Sequence, residues 1–211
     1  MLTDTQLEDL SKRMSIPLVG VYFKDELPKK MVYNKSYIIN MDNAYDEEGK
    51  ENEGTHWVCL QVNKYPDNRI EPFYFDSYGA SPPESVKKFV MDNCGKYLPF
   101  NKKDCQSLMG NACGFFVLAF LHYINAWEHR TKDLYEDADM FLNYFDDLNT
   151  SIDWKKNEYI LRMFFQSNDP NLRKSIDVIS QPDRIVSEDE KGGTDMMKIP
   201  VSVKLMGEGK K

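Results

Sequence analysis

Residues 113–124 read Cys-Gly-Phe-Phe-Val-Leu-Ala-Phe-Leu-His-Tyr-Ile. The stretch would be apolar on every side of a helix and is long enough to form one, so it predicts a helix buried at the centre of a domain. We expect Cys113 to begin this central helix. The segments on either side should then pack around it.

Upstream of this stretch, the sequence predicts a small sheet between two helices. Branched and aromatic residues dominate four segments, which is typical of strands. These segments are residues 18–23, 36–41, 56–62 and 70–76. Thr3-Asp4-Thr5-Gln6 and Ser81-Pro82-Pro83-Glu84 each have the pattern of a helix-capping box, and each precedes residues at helical spacing.

Downstream, amphipathic segments at residues 134–148 and 154–165 predict two more helices, giving an α+β fold with helices around a small mixed sheet. All 27 aromatic residues lie at or before Phe165. We therefore predict a catalytic domain over residues 1–165 and an aromatic-free tail over 166–211, partly flexible, with one strand near residues 199–206.

Composition and charge restrict the function. The net charge of −7 argues against a surface built to bind phosphates, and it belongs to residues 1–165, because the tail holds eight basic and eight acidic residues. No apolar run approaches the roughly 20 residues that cross a bilayer. The four cysteines lack the spacing of zinc ligands, and no secretory signal is evident, so we expect free thiols in a reducing compartment and no metal or other cofactor.

Cys113 is the candidate nucleophile. A free thiol ionises near pH 8.5, and the positive end of a helix lowers its pKa. Gly114, the next residue, should let a substrate backbone approach, and the Cys113 N–H should be free to donate to an oxyanion. Taken alone, a small apolar cysteine that merely starts a core helix is an equally good interpretation.

A nucleophilic cysteine needs a base, and His56 is the strongest of three histidines, because it begins a predicted strand after a flexible acidic loop. Asp76, at the end of the next strand, could orient the imidazole if the two strands are neighbours. Gln106, seven residues before Cys113, could donate the second hydrogen bond to an oxyanion. Individually they are equally typical of a surface His, a turn-capping Asp and a loop Gln.

The order His56, Asp76, Gln106, Cys113-Gly114 resembles the adenovirus-type maturation protease, adenain. The likeness includes His56-Trp57, the 20-residue step to Asp76 and the seven-residue step from Gln106 to Cys113. It covers roughly residues 1–165. The chain looks most similar to the shorter proteases of virophages and Polinton-like elements.

This resemblance implies a papain-like core in permuted order, with His56 as base, Asp76 as its orienting group, Gln106 as oxyanion donor and Cys113 as nucleophile. It also implies cleavage of viral capsid and core precursors at Gly-containing sites during particle maturation, in the virion and the infected cell. Adenain is activated by a basic peptide and by DNA. Neither is carried over here as a cofactor, and the acidic core argues against stimulation by DNA. Protein substrates are the partners implied, and an activating peptide or the chain's own tail is left open as a regulator.

The tail contains Leu205-Met206-Gly207-Glu208-Gly209, which fits the cleavage pattern of that family with scission after Glu208. It suggests self-cleavage or docking of the tail, although a chance match in a flexible terminus explains it equally well.

Three other functions stay open. Adenain has Glu where this chain has Asp76, and SUMO-specific proteases have Asp, so an isopeptidase for ubiquitin-like modifiers is the nearest alternative. An acetyltransferase effector would need a basic inositol-phosphate pocket, which the acidic core does not suggest. A catalytically dead binding module would not need all four groups.

Overall fold

The computed structural model describes residues 1–107, 110–125, 131–148 and 153–165. Within these ranges the chain forms four strands and five helices, so the α+β prediction is confirmed. The strands are β1 (Leu18–Phe23), β2 (Lys35–Asn40), β3 (Trp57–Lys64) and β4 (Ile70–Phe75). The helices are α1 (Asp4–Arg13), α2 (Glu84–Cys94), α3 (Cys113–Asn125), α4 (Leu134–Leu142) and α5 (Asp153–Phe164).

The four strands form one mixed sheet in the order β1-β2-β3-β4. β1 runs parallel to β2, whereas β2, β3 and β4 are antiparallel neighbours. Antiparallel pairing brings the start of one strand beside the end of the next. His56 immediately precedes β3 and Asp76 immediately follows β4. Both residues therefore lie at the same end of this antiparallel strand pair.

Helix α3 lies in the core, as its sequence predicts. Eleven of its 13 residues are buried, and it packs between one face of the sheet and helices α1, α4 and α5. The ring of Phe120 stacks on Phe75 of β4, with centroids 4.5 Å apart. The other face of the sheet is covered by Val86, Phe89 and Val90 of α2. The start of α3 is thereby fixed against the sheet edge.

One of the two predicted capping boxes is present. The Thr3 side chain accepts from the Gln6 N–H, and the Gln6 side chain accepts from the Thr3 N–H. The box predicted at Ser81 is wrong, because Pro83 is the N-cap of α2 and makes no side-chain capping bond. Pro82 and Pro83 keep the chain extended there, so the Ser81 hydroxyl lies outside the first turn.

Helix α4 is shorter than the predicted span of residues 134–148, since it ends at Leu142. Asn157 of α5 explains the stop. Its amide accepts from the Asp146 N–H and donates to the Asp146 carbonyl, both at 2.8 Å, which holds that backbone out of a helix. Phe145, the residue before these contacts, is buried in the core.

All four cysteines are free thiols, as expected. In the described part of the chain, no helix combines the length and the apolar character required to cross a bilayer. The tail over residues 166–211, with the strand predicted near 199–206, lies outside the described residues.

Candidate active site

Asp76 is held rigidly at the end of β4. Its backbone N–H donates to Asn101 Oδ1 at 2.9 Å, and its carbonyl accepts from Asn101 Nδ2 at 2.6 Å. Its carboxylate Oδ1 also accepts from the Tyr78 N–H at 2.8 Å, which caps the turn. The side chain is buried, with 1% of its surface exposed. Asp76 therefore fills the turn-capping role typical of Asp and still has acceptor capacity left.

That capacity is used by His56. The imidazole Nε2 lies 2.7 Å from Asp76 Oδ1. Since a carboxylate only accepts, this bond places a proton on Nε2 and leaves Nδ1 as the ring atom that can exchange a proton with another group. Nδ1 is buried and has no hydrogen-bond partner of ordinary geometry among the described residues.

Cys113 lies near the imidazole of His56, on the side away from Asp76. Its thiol is near enough to raise the pKa of the imidazole, although it makes no hydrogen bond of ordinary geometry with Nδ1. Cys113 is the first residue of α3, where backbone N–H groups have no acceptor within the helix and the dipole favours an anion. Only 1% of the residue is exposed.

The electrostatics favour a charged imidazole. Burial lowers the pKa of His56, but the hydrogen bond to Asp76, the nearby Cys113 thiol and the charges of both groups outweigh it, so the pKa rises to about 9. At neutral pH the ring is therefore an imidazolium between two acidic groups. An imidazolium beside a thiol at a helix N-terminus is the arrangement that stabilises a thiolate.

The other thiols are placed differently. Burial raises the pKa of Cys105 to about 12 and raises the pKa of Cys59 well above its usual range. Burial also raises the pKa of Cys94. None of the three has a histidine partner among the described residues, so reactivity at neutral pH is expected at Cys113.

Gln106 is buried one layer from this trio. Its Oε1 accepts from the Ser77 hydroxyl at 2.9 Å, which fixes the orientation of the amide and makes Nε2 the outward donor. Nε2 donates to the Gly110 carbonyl at 2.9 Å and approaches the Tyr78 hydroxyl at 3.4 Å. An amide nitrogen carries two protons, so both Nε2 protons have an acceptor here, and an oxyanion would have to replace the longer of the two contacts, that to the Tyr78 hydroxyl.

Tyr78 is a site residue that the sequence did not reveal as one. Its ring stacks on the imidazole of His56, with centroids 4.2 Å apart and planes 19° apart. Burial raises the pKa of its hydroxyl, and the nearby Cys113 and Asp76 raise it further. The sequence feature that could have identified Tyr78 is its position two residues after Asp76, because the capped turn directs the chain back over His56.

Gly114 does not have the role expected from the sequence. A Cβ at this position would meet Leu2 Cδ1 at 3.2 Å and Leu7 Cδ2 at 3.3 Å, so the space beside it is occupied by the N-terminal segment. The Leu2 carbonyl also accepts from Trp57 Nε1 at 2.8 Å. Glycine therefore lets α1 pack closely on α3, and the space that was expected to admit a substrate backbone is filled by Leu2 and Leu7.

The structure thus brings His56, Asp76 and Cys113 together and places Gln106 next to them through Ser77 and Gly110. His122 lies elsewhere, with Nδ1 3.1 Å from the Met14 carbonyl. His129 lies outside the described residues. The catalytic roles of the four residues remain predictions, and their arrangement is that of a nucleophile, a base, an orienting acid and a nearby amide donor.

Neither a protein-family model nor a curated protein matches the chain. Among solved structures, it is similar to the crystal structure of the selenomethionine form of the ASFV pS273R protease. The two share 20% sequence identity over 50% of this chain and 42% of that one, with a TM-score of 0.30. The chain therefore covers less than half of that protein.

Proposed function

We propose that this chain is a cysteine endopeptidase. The observation that supports this best is the contact series from Asp76 through His56 to Cys113 at the start of a buried helix. Each group supplies what thiol catalysis needs: a thiol at the positive end of a helix, an imidazolium that carries a proton, and a carboxylate that keeps it oriented.

The first half of the proposed reaction forms an acyl-enzyme. The Cys113 thiolate attacks the scissile carbonyl carbon, and the carbonyl electron pair moves to oxygen. The Cys113 N–H and Gln106 Nε2 are the donors proposed for that oxyanion. When the tetrahedral intermediate collapses, the C–N bond breaks, and His56 Nδ1 gives its proton to the departing amine.

The second half regenerates the enzyme. Neutral His56 takes a proton from a water molecule, whose oxygen attacks the thioester carbon. Collapse of this intermediate releases the carboxylate product and restores the thiolate and imidazolium. Asp76 keeps Nε2 protonated throughout, so Nδ1 alone exchanges protons.

The finer parts of the proposal come from the resemblance of residues 1–165 to adenain. We propose a permuted papain-like core, substrates among viral capsid and core precursors, cleavage at Gly-containing sites, and action in the virion and the infected cell. The order of the four groups along the chain and their juxtaposition in the fold support these proposals jointly.

The decisive experiment incubates the full chain and the Cys113→Ala variant with peptides containing Gly-X-Gly and Gly-Gly sites, with cuts identified by mass spectrometry. Cleavage by the wild type and none by the variant is the expected result. Cleavage restricted to Gly-Gly would favour an isopeptidase for ubiquitin-like modifiers. No cleavage of any peptide by the wild type, with or without residues 166–211, would contradict the proposal. The masses of the two proteins themselves test self-cleavage after Glu208.

A further inference from the structure

A cleft of about 670 Å³ lies beside the candidate site. It is bounded by the start of α1, the end of β1 and the loop that leads into β3. Gly54 and Trp57 line it, and these residues flank His56 closely in sequence. The side chains of a peptide bound across Cys113 would therefore reach this cleft.

The charged side chains that line the cleft are all acidic: Asp4, Glu26, Glu51 and Glu53, with no Lys or Arg among the lining residues. Asp4 is already engaged, because it accepts from the Thr5 N–H in the first turn of α1. The three glutamates are exposed, and none forms an ion pair with another described residue. The main-chain ammonium of Met1, which also lines the cleft, is a nearby positive charge, and solvent or a bound cation would relieve the repulsion that remains.

The cleft also offers an aromatic surface. Tyr22 and Tyr45 both line it, and the large aromatic side chain of Tyr45 is 54% exposed. Lysine and arginine pack their aliphatic stems on such rings and keep their charged ends at carboxylates. Exposed rings next to unpaired carboxylates fit a basic side chain better than an apolar one.

An unused hydrogen-bond donor lies under the cleft. Asn40 is fully buried, and its Nδ2 has no partner among the described residues. The amide cannot simply be reversed, because its Oδ1 accepts from the Asp42 N–H at 3.0 Å. Nδ2 lies on the side of Gly54 where a Cβ would overlap it, so it faces the glycine that lines the cleft. A buried donor without a partner is costly, and an acceptor from outside would reach this one only if Gly54 moved aside.

We infer that this cleft binds a lysine or arginine side chain of the substrate, close in sequence to the scissile bond. The inference rests on the proposed endopeptidase function and adds a specificity to it. Glu51 and Glu53 are the residues that distinguish a basic side chain from a neutral one of similar length.

Binding is measured with the full-length Cys113→Ala protein, so that cleavage is not needed for a result. Fluorescent peptides cut by the wild type, or Gly-X-Gly peptides if none is cut, are compared with versions in which one residue is changed in turn to Lys or to Gln. We expect Lys at one position to tighten binding by about three- to tenfold at low salt, as for partly exposed ion pairs. That advantage should shrink at high salt.

Matched double variants locate the effect. E51Q/E53Q should reduce the advantage of Lys to less than about twofold, within the range of surface ion pairs. E47Q/E48Q removes the same charge from the same loop but from residues that do not line the cleft, and it should retain the advantage.

Three outcomes would overturn the inference: equal binding of Lys and Gln peptides at every position, equal effects of the two double variants, or no binding at all. A fourth concerns the tail, whose residues 198–211 hold four lysines and one glutamate. If Lys is preferred only after these residues are deleted, the tail occupies the cleft in the intact chain, and the assignment to substrate is wrong. A preference for Lys without any cleavage by wild type would instead contradict the endopeptidase proposal alone.

Discussion

The ring of Tyr78 lies flat against the imidazole of His56, with 4.2 Å between centroids. Because the imidazole is charged at neutral pH, the aromatic face both limits its rotation and stabilises its positive charge. The contact follows from the turn that the Asp76 carboxylate caps. The same carboxylate therefore orients the imidazole of His56 through Nε2 and positions Tyr78 over the face of that ring.

Replacing Tyr78 tests this contact. Tyr78→Leu removes the aromatic face, and we expect kcat/KM for a cleavable peptide to fall about five- to thirtyfold, the equivalent of a partly buried cation–π contact. The pKa of His56, followed by NMR, should fall as well. Tyr78→Phe keeps the ring and is the control, with kcat/KM within about threefold of wild type if stacking is the main contribution. A larger loss in Tyr78→Phe would assign the role to the hydroxyl group.

Asp76→Asn isolates the charge of the orienting residue. The amide Oδ1 can still accept from His56 Nε2–H and the Tyr78 N–H, so the fold should persist. Without the negative charge, the pKa of His56 should fall from about 9, and kcat/KM should fall about a hundredfold or more. Asp139→Asn, in α4 away from the site, serves as the matched control. An unchanged pKa of His56 would show that Asp76 acts only on the turn.

Much of this arrangement could be predicted from sequence, because it depends on local patterns. The apolar run of residues 113–124 predicts the central helix, and the branched and aromatic residues of 56–62 and 70–76 predict the two strands. Neighbouring antiparallel strands necessarily bring residues 56 and 76 to one edge of the sheet. The contact between His56 and Asp76 is therefore a consequence of strand order.

The rest depends on contacts distant in sequence. Asn101 fixes the backbone of Asp76 across 25 positions, and Leu2 fills the space beside Gly114 across more than a hundred. No periodicity or short motif contains such pairings, since they are set by how the helices pack on the sheet. The misjudged role of Gly114 has this origin.

The raised pKa of His56 predicts a limit on activity at high pH. The proton that His56 Nδ1 gives to the leaving amine is present below a pKa of about 9 and lost above it. We therefore expect kcat/KM to decline as pH rises through about 9, and the NMR titration of His56 to have the same midpoint. In Asp76→Asn the decline should move to lower pH. A midpoint that is identical in both proteins would assign the decline to another group.

The same shift predicts a change in stability with pH. A group whose folded-state pKa is raised from 6.5 to about 9 contributes stability that is complete below 6.5 and lost as pH rises through 9. The shift corresponds to at most about 3 kcal/mol. In urea unfolding, the free energy of unfolding should therefore fall more between pH 6 and pH 9.5 for wild type than for His56→Gln. Equal losses would mean that the charged imidazole does not stabilise the fold.

Gly54 provides a test of how the loop before His56 is held, and Gly49 in the same loop is its control. Both have positive φ, +80° and +79°, so an alanine is strained at either position. At Gly49 nothing lies near the added methyl group, whereas at Gly54 it would overlap the Asn40 amide. Gly54→Ala should therefore cost at least about 1 kcal/mol more than Gly49→Ala in urea unfolding, because it adds overpacking to the strain. It should also lower peptide cleavage severalfold more, since the displaced residue lies two positions before His56. Equal losses in the two variants would show that Asn40 moves aside freely, and would remove the reason for regarding its amide as a fixed donor beneath the cleft.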